Sequence, residues 1–111
     1  MLSVIAAATI LLVVSIIPPG RQVPSWQGVC SDVTFEVFVP ANKAARVLTI
    51  AIKDDTDEVV SLSEVPTNVD TFTSVKRTTR MLAGDTIKVE AVVTGEREKV
   101  LGTALATMRC I

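Results

Sequence analysis

The stretch VTFEVFVP, residues 33–40, alternates without a break: Val33, Phe35, Val37 and Val39 fall on one side of an extended chain, Thr34, Glu36 and Phe38 on the other. Successive side chains of a strand point to opposite faces, so this is a strand with one face made for a core. Pro40 has no N–H to give a sheet ladder and ends it.

Moving outward, the same period of two recurs. Leu48, Ile50 and Ile52 alternate with Val47, Thr49 and Ala51, and the turn Asp54-Asp55-Thr56-Asp57 closes that segment. Residues 58–62 and the Thr-rich residues 71–76 are shorter candidates. Ile87, Val89, Ala91 and Val93 form the clearest strand after the turn signal Gly84-Asp85, and residues 94–98 read as a loop. Residues 100–108 follow, with Leu101, Thr103, Leu105 and Thr107 sharing a face. Beyond residue 30 no segment shows a sustained 3.6 period, although residues 43–46 suit one helical turn. Six or seven short strands joined by turn residues predict a mainly β chain, an immunoglobulin-like antiparallel β-sandwich over residues 30–111.

Cys30 and Cys110 stand at the two ends of this body and are the only cysteines. With no other thiol to compete, they are expected to join as a disulfide. Closing a loop of that length contributes about 4 to 5 kcal/mol in the chain-entropy model, a large share of the net stability of so small a domain. A structural disulfide belongs to an oxidising compartment, which places the body outside the cytosol.

Ahead of the body the character changes. Every Lys, Arg, Asp and Glu lies at or beyond Arg21, and up to Ile17 the only polar side chains are Ser3, Thr9 and Ser15. As a helix, residues 2–17 would measure about 25 Å, near the ~30 Å of a bilayer core, and Pro18-Pro19 would stop it. The expectation is a retained single-pass transmembrane helix within residues 1–20 and an extended tether over residues 21–29. A cleaved signal sequence and a helix buried among sister subunits are the alternatives. Arg21, Lys43 and Arg46 follow the run, which by the positive-inside rule favours a cytoplasmic body. The cysteine pair outweighs that small count. Trp26 suits either the headgroup layer or a plug at one end of the core.

The composition removes whole classes of chemistry. The chain has no histidine, which excludes a Ser-His-Asp triad, a Cys-His pair and every His-ligated metal or haem site. A formal net charge of −1 gives no field to draw nucleic acid. Asp54, Asp55, Asp57 and Glu58 lack the glycine and ligand order of a calcium loop and read as a solvated hairpin tip. No catalytic, cofactor or metal site is expected. Lys76, Arg77 and Arg80 form the basic cluster, a candidate contact for an acidic partner or a lipid headgroup.

The succession Val33-Thr34-Phe35-Glu36-Val37, a strand ending in an acidic turn, Val65-Pro66 ahead of a Thr-rich strand, Gly84-Asp85 before Ile87, then Gly95-Glu96 and Cys110-Ile111 resembles the mycobacterial membrane protein small family. That resemblance implies a single-pass protein with an extracytoplasmic β-sandwich, an accessory subunit of large transporters that export lipids and siderophores. Members of that family carry a basic lead before the helix and a cysteine pair in the last third of the chain. This sequence shows neither. The functional expectation is a non-enzymatic, membrane-anchored accessory subunit of a larger envelope complex, bound to an integral membrane protein and to lipid. The alternative is a pilin-like subunit that packs with copies of itself into filaments.

Overall fold

Alternating valines bury themselves best when two sheets face each other, and the chain folds accordingly. A computed structural model of the protein describes residues 12–111. Its strands are β1 (Ser15–Ile17), β2 (Gly20–Val23), β3 (Val29–Val39), β4 (Arg46–Lys53), β5 (Val59–Pro66), β6 (Thr73–Leu82), β7 (Thr86–Thr94) and β8 (Val100–Cys110). They form a three-stranded sheet in the order β1-β3-β6 and a five-stranded sheet in the order β2-β8-β7-β4-β5.

The inner face of β3 is the one its alternation predicts: Val33, Phe35, Val37 and Val39 are all buried. Val75 and Met81 of β6 complete that side. Against them lie Val47 and Ala51 of β4, Ile87, Val89, Ala91 and Val93 of β7, and Ala106 and Met108 of β8. Full burial of a valine or isoleucine contributes roughly 1.5 to 3 kcal/mol, so this interlayer is the main source of stability.

Cys30 and Cys110 are joined, with Cα atoms 6.0 Å apart. The bond crosses the interlayer, from β3 of one sheet to β8 of the other. It also decides which face of β8 is buried. Because Cys110 must point inward to reach Cys30, period two turns Gly102, Ala104, Ala106 and Met108 inward, and Thr103, Leu105 and Thr107 outward. In β4 both faces are apolar, and the smaller set (Val47, Thr49, Ala51) is the one buried. Cys30 itself sits within β3, not ahead of it.

The N-terminal expectation needs the largest correction. The expected helix over residues 2–17 does not hold in its described part: Ser15–Ile17 is strand β1, paired antiparallel with β3 (Ser15 opposite Phe38, Ile17 opposite Glu36). Leu12 donates its N–H to the Leu101 carbonyl at 2.7 Å, and Ile16 is 5% exposed in the core. Val13, Val14, Ile16 and Ile17 are β-branched, which favours a pleated surface over a helix. Residues 1–11 of that expectation lie outside the described residues, and among those described no helix is long and apolar enough to cross a membrane.

The expected tether is also part of the domain. After the cis Ile17–Pro18 bond the chain changes sheets and β2 pairs parallel with β8, Gly20 opposite Thr107 through Val23 opposite Cys110. One parallel pair thus departs from the all-antiparallel expectation, because β1 and β2 continue in one direction while crossing from sheet to sheet. Trp26 is 75% exposed, so it does not plug the core.

Gly102 is what lets the N-terminal segment lie this close. A Cβ there would stand 2.6 Å from the Leu12 carbonyl oxygen and 2.9 Å from Val14 Cγ2. We expect Gly102→Ala to displace residues 12–14 and to lower stability by about 1 to 3 kcal/mol, read by chemical denaturation, with loss of amide protection at Leu12. Reduction of Cys30–Cys110 should lower stability by about 4 to 5 kcal/mol in the same assay, since the loop it closes spans 80 residues.

Candidate interaction surface

A five-stranded sheet facing a three-stranded one leaves an overhang, and here it falls on the side of β5 and β6. Both are terminal in their sheets, so among the described residues each carries a row of unpaired backbone groups along one side.

The two edges differ. β5 is interrupted by a bulge opposite Ala51 and Ile52 and ends in Pro66, and its carboxylates are already engaged. Glu64 lies 3.6 Å from Arg46, and Glu58 lies 3.9 Å from Lys53. β6 runs unbroken through ten residues, because the irregularity in its pairing comes from one extra residue on β3, where Ser31 and Asp32 stand opposite Arg80.

The basic cluster is carried on β6 but not on one face. Lys76 and Arg80 are exposed on the outer side, about 13 Å apart along the strand. Arg77 turns to the inner side, half-buried, in register with Phe35. Its guanidinium donates to the Lys76 carbonyl at 2.7 Å. Lys76 stands in register with Glu36, whose carboxylate accepts from Ser74 Oγ at 2.8 Å. No ion pair joins Lys76, Arg77 or Arg80 to a carboxylate among the described residues.

Where β6 nears its end, a cleft of about 240 Å³ opens between it and β5. Val60, Met81 and Ile87 form its floor, with Lys53, Glu58, Arg80 and Asp85 around the rim. Lys53 bridges the rim, 3.8 Å from Asp85 as well as 3.9 Å from Glu58. Sequence reading missed this cleft. Its walls come from three separated segments, and the one local signal was Val60, an apolar residue displaced from the alternation by the bulge.

The acidic turn after β4 is tied into the five-stranded sheet. Asp54 accepts from Lys88 at 2.9 Å, which holds the lysine pKa above its usual value. Beside it, the outer face of the sheet is more apolar than a solvated face requires. Ile50 is flanked by Leu62 on β5 and Glu90 on β7, with Leu105 beyond on β8; Leu62 and Leu105 are 64% and 65% exposed. No family model, curated protein or solved structure matches the chain.

Where β4 meets β5, Thr49 and Ser63 oppose each other, and neither buried hydroxyl has a partner among the described residues. Because Thr49 is fully buried, Thr49→Val should raise stability by about 1 kcal/mol, measured as a higher denaturation midpoint with unchanged slope.

Proposed function

We propose that the protein is a non-enzymatic, immunoglobulin-like domain that acts on the extracytoplasmic side of a cell membrane as an interaction subunit of a larger envelope complex. The observation that carries this reading is the pair of long free edges, β5 and β6, side by side on one flank of a disulfide-clamped sandwich. Such edges add a strand from another chain through backbone hydrogen bonds, and the exposed leucines of the five-stranded sheet supply a second apolar surface. Pairing of β3 with β6, and the placement of β7 between β4 and β8, follow the order of the immunoglobulin sandwich.

Residues 12–17 serve the sandwich, so a helix over residues 2–17 and this domain exclude each other there. Membrane attachment then falls to the partner itself and to the apolar residues ahead of Leu12. An accessory role beside a transporter, as the family resemblance implies, is one form of it. A filament subunit built on a free apolar helix gains no support from a segment that pairs with β3.

Mild-detergent extraction of the full chain from its native envelope tests the reading. We expect one larger membrane protein to be retained reproducibly, and to be lost when the disulfide is reduced. Recovery of the oxidised chain alone, as a monomer, would refute it.

A further inference from the structure

Resting on that interaction reading, we propose that the free edge of β6 accepts an extended acidic segment of a partner protein, which adds as a strand beside residues 76–82 and sets one apolar side chain into the cleft between β5 and β6. Three independent observations point to this occupant.

The first is continuity. β6 is ten residues long, unbroken and terminal in its sheet, whereas the neighbouring β5 edge is blunted by a bulge and by Pro66. A strand needs an uninterrupted row of donors and acceptors, and β6 offers the longer one.

The second is charge. Lys76, Arg77 and Arg80 lie along this one strand with no carboxylate partner among the described residues, while Glu58 and Glu64 on the β5 side are already paired with Lys53 and Arg46. A second copy of the same edge would bring cation against cation. Charges on an edge strand repel like edges, which leaves an acidic segment as the complementary guest.

The third is the cleft. A strand added to β6 turns alternate side chains inward, over the overhang of the five-stranded sheet. At the end of β6 that direction meets a cavity of about 240 Å³ floored by Val60, Met81 and Ile87 and bordered by Arg80. Backbone pairing supplies affinity in this mode of recognition, and the pocket for an alternate side chain supplies selectivity. One apolar residue fits the floor, and a carboxylate beside it can reach Arg80, the rim cation with no carboxylate partner among the described residues, while Lys53 already holds Glu58 and Asp85.

The probe is a capped nine-residue peptide alternating glutamate and valine with one central leucine, titrated into the oxidised full chain at low salt and followed by backbone amide NMR. We expect shifts confined to Thr73–Leu82 and the cleft residues, new exchange protection along β6, and an affinity that falls as ionic strength rises. The lysine analogue of the peptide should bind at least tenfold more weakly. Lys76→Gln with Arg80→Gln, and separately Val60→Trp to fill the cleft, should each weaken the glutamate peptide at least tenfold while the dispersed amide spectrum of the free protein is kept. Equal binding of the lysine peptide, shifts on β5 or on the outer face of the five-stranded sheet, no shifts at all, or self-association through β6 would each overturn the inference. If the peptide fails while the chain still retains its envelope partner, this edge is refuted and the interaction reading stands.

Discussion

A covalent bond between Cys30 and Cys110 joins the two sheets across their shared core, and much of the remaining geometry is referred to it. An inward Cys110 sets the face of every other residue in β8, because side chains on a strand alternate strictly. That choice turns a run of small residues, Gly102, Ala104 and Ala106, toward the interlayer. The small side chains then give the N-terminal segment room to lie against β8 before it crosses into the other sheet. The chain's first described strands are thus held by its last one.

How far the fold could be read in advance depended on where each side chain's partner lies. In β3 and β7 one face is a run of valine, isoleucine, phenylalanine or alanine and the other carries Thr, Glu or Lys with a single apolar residue, Phe38 or Val92, so the buried side follows from the local pattern. In β4 both faces are apolar, and the sandwich buries the one whose small side chains fit beneath the opposite layer. In β8 the shared face of Leu101, Thr103, Leu105 and Thr107 was legible but which face is buried was not, because a tie formed 80 residues away decides it. Residues 12–17 were the hardest case. Uninterrupted hydrophobicity reads equally as a membrane helix or as a strand between two layers, and only the pairing with β3 and the approach to Gly102 separate the two. The candidate contact residues were visible as a basic cluster, but their division between faces of β6 required the register with β3.

The asymmetry between the layers gives the molecule its flank. Five strands cannot be covered by three, and the uncovered part of the larger sheet lies beside a continuous edge of the smaller one. On that flank polar, short or charged side chains are frequent, Ser61, Ser63, Arg77 and Thr79 among them, where the opposite flank ends in the short strands β1 and β2. The two flanks therefore differ in the length of the edge they offer, and the longer one is where cations without a carboxylate partner among the described residues meet a small cavity.

The position of β8 in the five-stranded sheet has a consequence for how the molecule is made. It is the last strand along the chain, yet it lies between β2 and β7, so two neighbours depend on it for their hydrogen bonds. During synthesis β1 to β7 emerge first, and until β8 arrives β7 keeps an open edge and β2 has nothing to pair with. Contacts between residues so distant in sequence form slowly, since a long loop must close before they are made. Nascent chains of this protein thus pass through a stage in which a hydrophobic strand waits unpaired, and protection of that stage falls to whatever machinery handles the emerging polypeptide.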